Sequence, residues 1–518
     1  MALLLPGVAP PPQTLGSVAG PGVGAGVGSA GQFAVNGLRS RGNNFTVDGS
    51  DNNDEDIGVR RQGFVALIPQ PIESVKEYQA ITLLAPAQFG RNIGAQVNAV
   101  SKSGGSEHHG TLYGFLNSSQ LNARNFFDSA LGNSLSPLRS GNQNVLLADS
   151  VVFNSNAQVV PVNPRPLNVR NGSGGEDSFT LGQYGFVLGG PLGRARGADH
   201  PARMFYFVSA EAYTQNAVKE ESFAVPTVAE RGAFGTGASG LFFDPFNRDP
   251  NNPDATAFAV PTSAGGDAIF SLFPFPNNPA SIYGANTFTQ TLPANARGKV
   301  LSGKFDANFK IRGRQQSLTN RYNFTDDWRT IPATGGAIFS SLRPRVRTQN
   351  NSFFFNSELS GANSTRPLFN QLRLSYGRTR LNFQEERDQN YQLPNTLIPN
   401  TPFLLNAPLL ENFTFPRLIS DTEFGANTGP VVYVATPGAT VQNAMQLGPT
   451  GQVRRLGAVG QVSVAGFSPL GVDVFNFPQR RVNNTYQLAD ELTMRAAGHS
   501  LVFGTDLRRS ELNSELPR

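Results

Sequence analysis

The sequence predicts an all-β protein, a transmembrane antiparallel β-barrel with a small α+β domain in front of it. Three observations carry that prediction. Segments of roughly 9–14 residues alternate apolar and polar side chains, against about 5–6 residues for soluble strands and ~9–11 for membrane-crossing ones. Short turns and very long Pro-, Asn- and Gly-rich connections join these segments alternately, as periplasmic turns and external loops do. The composition is poor in charge (15%) and rich in Gly and Pro, which disfavours helices, and its 39 Phe against one Trp suit alternating strand positions.

The chain opens with a low-complexity lead-in, 1–31. GVGSAG there matches the dinucleotide pattern G-x-G-x-x-G, but no strand precedes it and no helix follows, so it reads as a loop. Two short strand-like pieces follow, Phe33–Val35 and Asn44–Val47, closed by the turn pairs Asn36-Gly37 and Asp48-Gly49. Ser74–Tyr78 is read as one short helix, and the ITLL that follows as a strand. Ala95–Ser101 alternates again before the break at Gly104-Gly105. This organisation places a compact domain over residues 1–105 and the barrel over 106–518.

Within the barrel, the clearest alternation is Gly298–Ile311, with Leu301, Phe305, Ala307, Phe309 and Ile311 on one face and Lys304, Asp306, Asn308 and Lys310 on the other. Arg312-Gly313 turns the chain into a second strand, where Leu318, Tyr322 and Phe324 oppose Arg321 and Asn323. NNSFFFNSELS, FNQLRLSYGRTRLNF and the last two strands repeat the pattern. The stretches 129–176, 222–297 and 384–480 read as loops. An apolar face without a second apolar layer needs lipid to cover it. That disfavours the rival reading, a soluble carbohydrate-binding β-protein.

Composition excludes several chemistries. With no cysteine there is no disulfide, thiolate metal site or cysteine nucleophile. No run of 18 apolar residues forms a membrane helix, which leaves barrel strands possible. Arginine supplies all but six of the 42 basic residues and is dispersed along the chain, so nucleic acid is not an expected partner. The four histidines fall in no metalloprotease pattern, and no P-loop or nucleophile elbow occurs. No enzymatic activity and no cofactor is expected.

The ordered series of motifs resembles TonB-dependent outer-membrane receptors of the Oar-like branch. The plug of that family is matched by VNGLRSRGNNFTVDGSDNND (35–54), QPIESVKEYQ (70–79) and the stretch 89–127 containing QVNAVSKSGGSEHHG. Its barrel is matched by GQYGFVLGGPL (182–192), RMFYFVSAEAY (203–213), FAVPTVAERGAFG (223–235), GKFDANF (303–309), RYNFTDD (321–327), FNQLRLSYGR (369–378) and GHSLVFGTDLRR (498–509). The resemblance implies a plug inside a barrel of about 22 strands. It implies uptake of a ligand too large for porins across the outer membrane of a Gram-negative bacterium. Its implied partners are the TonB–ExbB–ExbD energy-coupling complex, outer-membrane lipid and an extracellular ligand. The signal peptide and TonB-contacting box expected before such a plug, and the aromatic-ended last strand, are not recognisable, so the chain reads as an internal fragment.

Site expectations follow from the same motifs. Asn36, Gly37, Arg39, Arg41, Asp48 and Gly49 form the expected gating motif of the plug, with Arg39 paired to barrel carboxylates. Gly104, Gly105 and Gly110, beside His108-His109, form the expected plug–barrel hinge. Asp51, Asp54 and Asp56 carry oxygen ligands suited to Ca²⁺, though without EF-hand spacing, so a solvated turn is the expected state. Arg321, Arg373, Arg378 and Arg380 are expected to face the lumen, toward either an anionic ligand or the plug. The alternative function is an outer-membrane surface or adhesion protein on the same barrel, without active uptake.

Overall fold

A computed structural model describes residues 5–9, 34–38, 42–53, 71–86, 89–90, 94–123, 135–140, 143–153, 159–170, 178–193, 204–228, 230, 239–243, 257–261, 273–361, 364–385, 417–420, 461–472, 479–496 and 498–515. Two sheets organise it. The smaller is built from β1 (Asn44–Val47), β2 (Ser50–Asp51), β3 (Val75–Ile81) and β4 (Gln96–Ser101), in the order β2-β1-β4-β3. β1 and β4 are parallel, whereas β1–β2 and β3–β4 are antiparallel.

The β1–β2 hairpin closes on Asp48 and Gly49, with φ of 47° and 77°. Both central residues are left-handed, which is why an Asp-Gly pair stands there. Residues 74–78 are not the expected helix. A 3₁₀ turn at Ile72–Ser74 leads straight into β3, because Val75–Ile81 finds its backbone partners on β4. β3 ends at Ile81, so the expected ITLL strand is absent as well. Among the described residues, this small domain contains no α-helix.

Val35, Phe45, Ala95 and Val97 form the core of the small sheet. Each fully buried Val or Phe contributes about 1.5–3 kcal/mol, while ordering each residue's backbone costs about 1–2 kcal/mol. A core this size does not hold the domain by itself.

The larger sheet contains β5 (His109–Ser118), β6 (Ser178–Leu192), β7 (Met204–Ala224), β8 (Thr287–Pro293), β9 (Ala296–Ile311), β10 (Arg314–Arg329), β11 (Leu342–Glu358), β12 (Leu368–Glu385), β13 (Gln479–Ala496) and β14 (His499–Glu515). Its order is β5-β6-β7-β9-β10-β11-β12-β13-β14, every neighbour antiparallel, with β8 paired to the far end of β7. Arg312 and Gly313, both at positive φ, make the two-residue turn between β9 and β10.

Polarity across this sheet is the inverse of a soluble fold. Leu301, Tyr322, Leu374, Phe503 and Leu507 are exposed on the outer face, while Arg321, Asn323, Ser352 and Gln487 are buried on the inner one. A contiguous exposed apolar face of this kind is stable only against lipid.

The strands are longer than the sequence pattern suggested. β7 has 21 residues, about twice the ~9–11 that cross a bilayer, so its far end stands clear of the membrane. There the supposed loops are partly built structure. Phe223, Val225, Phe273, Leu292, Ile338 and Leu470 form a buried cluster, and backbone bonds Ile338 N to Pro469 O (2.7 Å) and Gly471 N to Ile338 O (2.7 Å) tie its segments together. The stretches 129–176 and 384–480 likewise contribute the sheet of Gln143–Phe153, Val159–Pro166 and Arg417–Ser420. Those strands lack the long alternation of the membrane segments; Gln143–Phe153 and Val159–Pro166 pair as a local hairpin, and the distant Arg417–Ser420 joins its edge.

Candidate functional site

The tight turn Asp48–Asp51 projects from the small sheet into the inner face of the large one. Its left-handed backbone presents two carboxylates and a carbonyl to five strands. On β10, Arg321 Nη1 donates to Val47 O (2.6 Å) and Asp48 Oδ2 (2.9 Å). Arg321 Nη2 donates to Asn350 Oδ1 (2.8 Å) and Ser352 Oγ (3.0 Å) on β11, so the planar guanidinium is held at both ends. On β9, Lys304 Nζ stands 4.0 Å from Asp48 Oδ2 and donates to Ser101 Oγ (3.3 Å). On β12, Arg373 Nη1 donates to Gly49 O (2.8 Å). Gln487 of β13 accepts from Asp51 N (3.2 Å), and Arg508 of β14 donates to Asp51 Oδ1 (3.2 Å).

Asp48 also takes two bonds from its own sheet, from Ser101 N (2.7 Å) and Ser101 Oγ (2.6 Å). Burial by itself would raise this carboxyl's pKa and is the largest single effect. Arg321, Lys304 and the Ser101 bonds together outweigh it and hold the group below the ordinary carboxylate value. The sign follows from the depressed folded pKa. The contribution is whole above the unfolded value of about 3.9 and is lost as pH falls through the lower folded one. Protection of the Ser101 amide from hydrogen exchange, corrected for intrinsic rates, is therefore expected to stay level from pH 7 to 5 and fall below about pH 4. The Asp48→Asn variant should show no such acid step, and an unchanged step in that variant would assign the acid sensitivity elsewhere.

Asparagines brace the turn from behind. Asn53 Oδ1 accepts from Phe45 N (2.9 Å), and Asn53 Nδ2 donates to Asn44 Oδ1 (2.7 Å) and Asp51 Oδ1 (2.6 Å). Asn98 Oδ1 accepts from Gly49 N (3.0 Å) and Thr46 Oγ1 (2.9 Å). The sequence reading assigned no bracing role to Asn43, Asn44, Asn52 or Asn53. Their signal was the doubled Asn-Asn on either side of a β-hairpin, where an amide can both donate to and accept from backbone.

The sequence-derived candidates distribute unevenly. Asp48, Gly49 and Asp51 meet at the turn. Asp48 and Asp51 are not in a solvated turn; both are engaged by cations of the large sheet. Asp54 and Asp56 lie outside the described residues, and Asp51 faces Arg508, a poor neighbour for a second cation. No group of three metal-ligating side chains occurs among the described residues. Arg39 and Arg41 also lie outside the described residues. The described ion pairs have the opposite polarity to the one expected of Arg39, with acids on the small sheet and bases on the large one. Asn36 and Gly37 form a separate left-handed turn (φ 50° and 77°), where Asn36 Nδ2 donates to Thr82 O (3.1 Å).

Of the four arginines expected to face inward, only Arg321 and Arg373 do. Arg378 and Arg380 are outward and exposed, because strand side chains alternate and 378 and 380 differ from 373 by odd numbers. Gly104 packs against β6 and β7; a Cβ there would lie 2.3 Å from Tyr206 O and 2.7 Å from Gly190 O. At Gly105 the nearest atom to such a Cβ would be His109 Cε1 at 3.6 Å, and at Gly110 it would be Val187 O at 2.7 Å. His108 Nδ1 lies 3.2 Å from Tyr206 Oη, closing this passage from the small sheet into β5.

Residues 165–435 match the family model described as outer membrane beta barrel domain. Over 80 residues, 15% of this chain and 7% of the relative, the sequence is 36% identical to the TonB-dependent transporter Oar of Myxococcus xanthus. Among solved structures, the siderophore receptor PirA of Acinetobacter baumannii is 9% identical with a TM-score of 0.37, over 98% of this chain and 54% of that one. The unliganded ferric citrate transporter FecA is 7% identical with a TM-score of 0.40, over 98% and 52%. The chain spans about half the length of these solved structures.

Proposed function

We propose, from the premise that the chain belongs to the outer membrane beta barrel domain family, that it is the plug-and-barrel portion of a TonB-dependent receptor that takes up a ligand too large for porins. In this reading residues 1–105 are the plug and 106–518 the barrel wall with its external loops. One observation carries the reading. The Asp48–Asp51 turn holds the small sheet to five strands of the wall through a few charged and polar contacts. Such contacts fix position without adding much net stability, so a pull on the plug can release them one after another. The local identity to the Oar transporter supports energy coupling through TonB–ExbB–ExbD, and the plug's N-terminal side is where the pull would arrive. Asn36-Gly37, Arg39 and Arg41 belong to the gating segment, and Gly105 and Gly110 to the passage into the barrel, where Gly104 is packed closely against β6 and β7.

The chain has no cysteine and Ser50 is 0% exposed, which allows a direct test. In full-length protein carrying Ser50→Cys, a membrane-impermeant maleimide should label position 50 in growing cells that have TonB. Labelling should stay at background in cells lacking TonB. Equal labelling in the two strains would remove active uptake and leave the surface or adhesion protein on the same barrel.

A further inference from the structure

Beyond the seat of the plug, the inner wall carries a neutral collar two rungs deep. The seat itself is cationic. Lys304, Arg321 and Arg508 share one inward rung, with Ser352, Ser375 and Gln487 standing between the two arginines. Two residues further toward the loop end, the rung through Asn323 crosses the nine strands of the main ladder without a charged side chain. Hydroxyls and amides dominate it, from Ser209, Ser302, Asn323, Asn350, Thr485 and Ser510. The next rung runs through Thr325, Thr348, Thr379 and Asn483 on β10 to β13. Its one charged group, Glu211, accepts from Tyr113 Oη (2.8 Å). Charge returns on the rung after that, at Asp327 and Arg481.

Four polar atoms of this collar are unspent. Ser209 Oγ, Thr325 Oγ1, Thr348 Oγ1 and Asn483 Oδ1 have no hydrogen-bond partner among the described residues. Their side chains are 1%, 3%, 1% and 3% exposed. Leaving a buried polar group unpaired is costly, and an apolar side chain of similar shape avoids the cost. Val187 and Val300, buried in the same two rungs, show that the wall accepts such side chains there. A wall built for stability alone would have more of them.

We propose that the collar selects the transported ligand and that this ligand is a neutral oligosaccharide. The inference rests on the uptake reading and adds a substrate class to it. A ligand arriving from outside crosses the collar before the seat, while the seat's cations are still engaged by Asp48 and Asp51. An anion therefore loses its hydration there without meeting a free cation, and a free peptide brings charged termini into the same neutral rungs. Sugar hydroxyls donate and accept, as Ser and Thr hydroxyls do, so a sugar chain can exchange partners from rung to rung.

The test feeds growing cells that carry the full-length protein with two matched sets of fluorescent probes. One set holds short neutral glucans, mannans and galactans; the other holds the same chains oxidised to uronic acids. Neutral chains are expected to accumulate about tenfold above the oxidised ones, and only in cells with TonB. The variant Thr325→Val/Thr348→Val/Asn483→Leu removes three unspent groups. It should keep its heat-modifiable mobility, because apolar replacements relieve unpaired burial, yet take up neutral chains about tenfold more slowly. Should it lose that mobility, Thr348→Val serves instead, with an expected loss of about fivefold. Unchanged neutral uptake by a folded variant overturns the assignment. So does a preference for the oxidised chains, or uptake of neither set in cells whose Ser50→Cys protein still shows TonB-dependent labelling; these outcomes leave the uptake reading standing. Neutral uptake that persists without TonB but falls in the variant supports the collar and removes active uptake.

Discussion

Arg321→Ala is expected to destabilise the seat of the plug by about 3–5 kcal/mol, the usual consequence of stranding one partner of a buried ion pair. Arg321 is 1% exposed, and its guanidinium satisfies Val47 O, Asp48, Asn350 and Ser352 together. Truncation leaves Asp48 buried with Lys304 at 4.0 Å and leaves a backbone carbonyl with one partner fewer. Lysine is not an adequate replacement, because one ammonium cannot span the four acceptors that the fork reaches. Urea titration of the full-length protein, read at the Ser101 amide by hydrogen exchange, measures the effect. Asp48→Asn in the same background should recover part of the loss, since it removes the stranded charge. Additive losses in the double variant, or a change below about 0.5 kcal/mol in the single one, would show that the turn is not what holds the plug.

Gly104→Ala should be nearly as damaging for an unrelated reason. The added Cβ would sit 2.3 Å from Tyr206 O and 2.7 Å from Gly190 O, and both atoms belong to paired strand backbone, Gly190 facing Tyr206 in the β6–β7 register and Tyr206 facing Phe305 of β9 as well. Neither can yield without breaking the ladder, so the cost is that of overpacking, about 1–3 kcal/mol or more. The neighbouring Gly105→Ala is the control. Its Cβ would meet only the His109 ring at 3.6 Å, an ordinary contact. The expected result is loss of the compact, heat-modifiable band for the first variant and its retention for the second. Equal behaviour of the two would show that Gly104 is not a close-packed passage.

These two residues mark different limits of what can be read from the chain. Gly104 drew attention as part of a Gly-Gly break, which suggested freedom at a hinge. The structure gives it the opposite role, because two strands far away in sequence close over it. Arg321 was placed on the polar face by alternation with Tyr322 and Phe324, and it is there. That its partner is Asp48, 273 positions earlier, is information no local pattern contains. Arg378 and Arg380 show that periodicity must be applied strictly: counting from Arg373 by twos would have put both on the outer face. The helix expected at 74–78 failed because β4 offered the backbone of Val75–Ile81 a ladder, which outweighs a weak local preference.

By itself the sequence determined the class of fold, the faces of the membrane strands, and the turns at Asp48-Gly49 and Arg312-Gly313. Each of these depends on neighbours one to a few positions apart, through side-chain alternation and left-handed backbone geometry. Only the tertiary structure decided which charges meet, which glycine is closed in, and that the long connections form a second core beyond the membrane. Those outcomes depend on strand register, and register brings together side chains hundreds of residues apart whose identities carry no mark of one another.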